Sequence, residues 1–375
     1  MRILIAGDFA VCNRVATQID KGNYSCLAEV RPFVQLVDYA IVNFESPVVM
    51  QNADPIDKTG PNLRCSEKAM ECIAQAGFKC VTLANNHFRD YGQVGVEDTL
   101  ACCRKTGVDY VGGGKNLKEA QMILYKSIDG KQLAVINVCE NEWSIANEKK
   151  GGSNPLNIVA VCHAIQEAKQ KADYVLLIIH GGTELYNLPT PRMKETYRFF
   201  VEQGADAIVN HHQHCYSGYE IHEGKPIFYG LGNFCFDEIK AIDNESWKKG
   251  YLVELVFGDT IEFRLHPYIQ CSKENPVVEF VRDRGEFDNS IQRLNQIIAD
   301  DAEIQHRFEQ MASKGVTIAN NILTPYNSAF LKRLSRKKIL PSFLSSFRLK
   351  QLLGHVQCES HRDVLLYGLN NNTKQ

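Results

Sequence analysis

"VTLANNHFRD", residues 81–90, changes character abruptly in its middle. Val81-Thr82-Leu83-Ala84 reads as the end of a buried strand, short and apolar. Asn85, Asn86 and His87 follow at once, and two amides and an imidazole are poor core residues. Open α/β sheets carry their ligand-handling groups at such points, outside the carboxyl ends of the strands. The stretch predicts a strand whose end feeds a site, provided that other strands end in the same way.

Other strand candidates are Ile3–Ala6, Tyr39–Asn43, Asp109–Val111, Leu133–Asn137, Tyr174–Ile179, Ala207–Val209 and Ile227–Tyr229. Helical stretches lie between several of them. "SEKAMECIAQAGF" (66–78) has Ser66 as an N-cap, Met70, Ile73 and Ala74 on one face, and Gly77 as a stop. "VEDTLACCRKTG" (96–107) and "KETYRFFVEQGAD" (194–206) repeat the scheme and end at Gly107 and Gly204. Helix, glycine stop and short strand is the rhythm of an α/β protein, with helices on the faces of a parallel or mixed sheet. Residues 251–270 alternate at period two around Gly258-Asp259, which predicts a closing β-hairpin. Past about residue 285 the pattern turns helical, and residues 331–356 are basic with interleaved Leu and Phe. The expected division is one domain over 1–275 and a helical, partly basic segment over 276–375.

Composition bounds the function classes. The chain has 375 residues, 44% hydrophobic and 23% charged, which is ordinary for a soluble globular protein. A net charge of −2 gives no global argument for nucleic acid, and none is expected as a partner. "MRILIAGDF" is too short for a signal core, and no run of eighteen apolar residues predicts a membrane span. The 13 cysteines form no CxxC pair and read as reduced thiols used as small hydrophobes, which predicts a cytoplasmic protein.

Six strand ends carry an acid, an amide or an imidazole: Asp8, Asn43 and Glu45, Asn85 to His87, His180, "NHHQH" (210–214), and "GLGNF" (230–234). If the strands are parallel, these groups converge on one edge of the sheet. Carboxylates with an amide and imidazoles make a mixed oxygen and nitrogen set, which suits Mn, Fe or Zn better than Ca or Mg. Two such ions a few ångströms apart activate water and neutralise a phosphoryl group in transfer. "HQH" (212–214) places two imidazoles on one side if the segment is extended.

Taken together, "GD" (7–8), "NFESP" (43–47), "TLANNH" (82–87) with "DYG" (90–92), "HGG" (180–182), "NHHQH" (210–214) and "YGLGNF" (229–234) resemble the CapA family in order and spacing. These are capsule and poly-γ-glutamate synthesis proteins related to the calcineurin-like metallophosphoesterases. The resemblance covers residues 1–237. It implies a four-layer α/β fold, two packed mixed sheets flanked by helices, with a dinuclear metal centre. By position it makes Asp8, Glu45, Asn86, His180, His212 and His214 metal ligands and His87 a general acid. Glu45 stands where the superfamily has a bridging aspartate, and Ala10 where it usually has a histidine. The candidate substrate contacts are Asn85, His211, Asn233 and Arg64 of "PNLRC" (61–65), the last through its guanidinium.

The expected activity is attack of a metal-bound hydroxide on a phosphate ester, in capsule or poly-γ-glutamate biosynthesis. The expected substrate is anionic, a phosphate ester or an acidic polymer. Two alternatives stay open: a non-catalytic accessory subunit of a polymer-synthesis assembly, and a metal-dependent amide hydrolase acting on a γ-glutamyl polymer. Residues 332–350, with Lys332, Arg333, Arg336, Lys337, Lys338, Arg348 and Lys350, are a candidate contact for a membrane surface or a protein partner.

Overall fold

A computed structural model describes residues 1–313, 323, 326, 328–337, 339–340 and 345–372. The first compact unit, Met1–Gln305, holds two large sheets and a small two-stranded one. Strand Arg2–Ala10 shows why a sheet here is covered on both sides. Every residue after Arg2 is buried, so the strand is a near-continuous apolar run. Leu4 and Ala6 point into a cluster with Val15, Ile19, Met70, Ile73, Val96 and Leu100 of the helices. Ile3 and Ile5 point the other way, against Val135, Leu176, Ile178 and Val209 of the second sheet. The second sheet turns its far face, with Ile136, Leu177, Ile179 and Ile208, to Val161, Ile165, Tyr197, Phe200 and Ile298 of other helices. Helix, sheet, sheet, helix is the four-layer sandwich that the resemblance implies.

In the first sheet, Arg2–Ala10 pairs parallel with Tyr39–Phe44, which continues parallel through Cys80–Thr82 to Asp109–Val111. On its other side Arg2–Ala10 pairs antiparallel with Lys249–Phe257 and, further along, parallel with Asn233–Phe236. The expected hairpin is Lys249–Phe257 with Ile261–Gln270. In the second sheet, Lys131–Cys139, Tyr174–His180, Ala207–His211 and Lys225–Phe228 run parallel, with antiparallel strands at both edges. The polar strand ends thus come from two sheets facing each other, not from one edge.

Two local expectations change. Ser66 does not cap its helix. Its hydroxyl donates to Asp20 Oδ1, and the helix begins at Lys68, after Glu67. The domain boundary expected at 275 lies at Gln305. Helix Gly285–Ala299 carries Phe287, Ile291, Leu294 and Ile298 at helical spacing, and these side chains complete the clusters of the first unit.

The second unit, His306–Gln375, is helical among the described residues, with helices Ala329–Arg336, Ser346–Gln357 and Glu359–Asn372. Of the basic cluster, Lys338 and the side chains of Lys332 and Arg336 lie outside the described residues. Among the described residues, no helix is long and apolar enough to cross a membrane.

Candidate metal centre

The centre is set by register. Asp8 lies opposite Asn43 on one neighbouring strand and Asn233 on the other, with an irregularity beside it in both pairings. Such bulges re-aim a side chain at a site. Gly7 is required next to it, because a Cβ there would stand 2.0 Å from Gly232 O. In the second sheet His180 is in register with His211. The strand ends at His211, and His212 and His214 both take left-handed backbone, at φ 89° and 53°. The "HQH" segment is therefore a turn, and two left-handed residues, not strand alternation, bring both imidazoles to the centre.

Six of the expected ligands come together, all buried. His180 Nε2 lies 3.0 Å from Asn86 Oδ1 and 3.1 Å from His212 Nδ1. Two atoms bound ~2.1 Å from one ion stand ~3 Å apart, so His180 Nε2 is at the spacing of a shared cation from each of the other two donors. Asp8, Glu45 and His214 form a second group, with one donor atom from each inside 4.8 Å. Glu45 Oε1 touches both sets, 3.9 Å from His180 Nε2 and 3.8 Å from His214 Nε2.

The electrostatics point the same way. Glu45 is fully buried, and neither carboxylate oxygen has a hydrogen-bond partner. Burial, and then the Asp8 charge, push its carboxyl well above the usual range. Burial, then His212, holds His180 well below the ordinary imidazole range, and burial lowers His214 as well. Both rings are neutral at physiological pH, the form a metal requires. Burial works to raise Asp8, but His211 beside it, with Nδ1 3.4 Å from Asp8 Oδ1, brings its carboxyl below the usual range. An anionic Asp8, a carboxylate without partners and neutral imidazoles fit a divalent cation well.

The remaining candidates take different places. His87 stands beside the cluster, and its Nδ1 is 2.6 Å from Asp90 Oδ2. His211 is buried, with Nδ1 3.4 Å from Asp8 Oδ1 and no hydrogen bond from either nitrogen. Asn85 spends its amide on the fold, donating to Phe44 O and accepting from His87 N, so it is not poised for substrate. Asn233 Oδ1 sits 2.9 Å from His214 Nδ1 while its amide donates to Trp247 O, which makes it a holder of the ligand ring. Arg64 is exposed and stacks 5.7 Å over Tyr91; the structure does not bring it to the cluster.

Several residues beyond the expected ligands join the centre. Asn43 donates to Asp8 Oδ1 at 2.8 Å and lies 3.3 Å from His180 Nδ1. Asp90 is completely buried against His87, Leu63 N and Lys58, whose side chain is only 3% exposed. Glu184 approaches from the exposed rim. The exposed Glu142 stands outside both ligand groups, with Oε1 3.7 Å from His212 Nε2. Asn43 was visible as a polar strand end, and Asp90 stands in the opening stretch itself; Lys58 and these two acids come from loops without a pattern.

A two-sheet α/β sandwich with a carboxylate, amide and imidazole centre at its strand ends defines the class. Within it, the chain belongs to the bacterial capsule synthesis protein PGA_cap family, whose model matches residues 2–238. It is 32% identical over 247 residues to the capsule biosynthesis protein CapA of Bacillus anthracis, covering 64% of this chain and 60% of that one. It is 34% identical over 222 residues to the PGA biosynthesis protein CapA of Bacillus subtilis (strain 168), covering 58% of each. The chain thus spans about three fifths of the length of these relatives. Among solved structures, a putative 5'-nucleotidase from Staphylococcus aureus in complex with alpha-ketoglutarate aligns at 13% identity and TM-score 0.46, over 79% of this chain and 58% of that one. That likeness is too distant to carry an activity across.

Proposed function

We propose that this chain is a metal-dependent hydrolase of phosphate esters, working in capsule or poly-γ-glutamate biosynthesis. The carrying observation is Glu45, a fully buried carboxylate without a hydrogen-bond partner, facing ligands of two sets. The holding residues are Asp8, Glu45, Asn86, His180, His212 and His214. Two divalent ions there, Mn, Fe or Zn, would lower the pKa of water and offset phosphoryl charge.

The chain's own residues supply the rest. Asp90 accepts from His87 Nδ1–H, fixes that ring and leaves Nε2 to hold or give up a proton at a leaving oxygen. Lys58 ties Asp90 in place from the other side. Asn43 and Asn233 orient His180 and His214. The floor of the centre is buried, while Glu184 at its rim is exposed. The anionic substrate, and a cytoplasmic location to which thirteen unpaired thiols are suited, are parts of the same proposal.

The test is a panel of phosphomonoesters, phosphodiesters and γ-glutamyl peptides, assayed on protein reconstituted with Mn²⁺ or Zn²⁺. Hydrolysis of a phosphate ester, reduced at least ~100-fold in His87→Ala with metal still bound, supports the reading. Cleavage of the amide alone would move the activity to the γ-glutamyl polymer. Metal-loaded protein inert to the whole panel would leave the accessory role.

A further inference from the structure

Glu184 lies on the loop that follows strand Tyr174–His180, exposed, and no motif of the sequence singles it out. Yet one of its carboxylate oxygens falls within 4.8 Å of a ring nitrogen of His212 and one of His214. Those two imidazoles belong to different ligand sets. His212 is grouped with Asn86 and His180, and His214 with Asp8 and Glu45. Glu184 therefore straddles both sets from the rim, as Glu45 does from the floor.

The loop is built to hold it there. Gly182 at φ 110° and Leu185 at φ 58° both take left-handed backbone, which a branched leucine adopts only under constraint from its surroundings. Leu185 N donates to Gln213 O at 2.8 Å. The Gln213 side chain, almost completely buried, donates to Tyr186 O at 2.9 Å and Leu188 O at 3.2 Å. Gln213 is the residue between His212 and His214. The segment that presents two imidazoles to the centre thus also fastens the loop carrying Glu184. The second, independent sign of a cation is the partnerless carboxylate of Glu45 beneath.

We propose that Glu184 is a metal ligand supplied from the rim, reaching both cation positions on the exposed side. This rests on the reading of the cluster as a metal centre. Of the five residues in the two carboxylate–imidazole groups, Glu184 alone is exposed, so it is the ligand that an incoming anionic substrate can displace.

The experiment is calorimetric titration of Mn²⁺ into chelator-stripped full-length protein, comparing wild type with Glu184→Ala, Glu184→Asp and Glu142→Ala. Glu142 is the control for charge, an exposed carboxylate beside His212 that belongs to neither group. Circular dichroism checks that each variant folds. Ligation by Glu184 weakens Mn²⁺ binding more than ~10-fold in Glu184→Ala, less in Glu184→Asp and little in Glu142→Ala. Equal Mn²⁺ affinity in wild type and Glu184→Ala overturns the proposal and leaves the centre standing. Equal losses in Glu184→Ala and Glu142→Ala overturn it as well, showing charge attraction only. Wild-type protein that takes up no Mn²⁺ overturns the centre itself.

Discussion

Asp90 and Glu45 are both completely buried carboxylates close to His87 and His180, yet their surroundings are opposite. Asp90 is saturated by the chain: Lys58, His87 and the Leu63 amide share its two oxygens. Glu45 has no hydrogen-bond partner on either oxygen. Burying a charge is costly unless it is paired. The first carboxylate is therefore finished by folding, and it serves to hold His87. The second is left for a cation that the chain does not supply.

Breaking each carboxylate separates these roles. Asp90→Ala strands the Lys58 ammonium in a buried site, and stability falls by about 3–5 kcal/mol in chemical denaturation, with metal content little changed. Glu45→Gln shows the reverse. Metal-free protein keeps its stability, but the gain from added Mn²⁺, about 2.7 kcal/mol at a hundred times Kd in wild type, disappears from the melting curve. A large loss of metal-free stability in Glu45→Gln would erase the contrast.

pH sharpens the comparison further. The Glu45 carboxyl is raised in the folded state, so the folded chain holds a proton that the unfolded chain releases near pH 4.3. Metal-free stability therefore falls as pH rises above about 4.3, by up to about 1.4 kcal/mol per unit from this group, until the folded carboxyl ionises. Glu45→Gln flattens that part of the curve, measured by denaturation at a series of pH values. The smallest effect belongs to the surface away from the centre: Arg64→Ala, exposed over Tyr91, changes stability by less than about 0.5 kcal/mol and leaves metal binding unchanged.

Much of this was legible in the sequence because parallel strands turn linear order into convergence. Polar residues at the ends of apolar runs, from Asp8 to His214, named most of the cluster before any geometry. The alternation rule failed at 212–214, since it presumes extended backbone and nothing local marks two left-handed histidines. Asn85 and Asn233 have the right chemistry, but hydrogen bonds to Phe44 O and Trp247 O occupy their amides. Lys58 and Glu184 stayed hidden because loop residues reach a site through tertiary contacts such as those of Gln213, which carry no periodicity. The boundary near 275 followed a change of pattern, whereas the core extends to wherever apolar helix faces find a sheet, here past Ile298.

Glu45 is the pivotal ligand of the proposed centre, and metal content tests that role most directly. Purified protein reconstituted with Mn²⁺ or Zn²⁺ and freed of excess ion is analysed by plasma mass spectrometry, wild type beside Glu45→Gln. The expected result is about two ions per wild-type chain, the number a dinuclear centre holds, and a clear loss in the variant. Wild-type protein that stays metal-free after reconstitution, or a variant that retains its full complement, would contradict it.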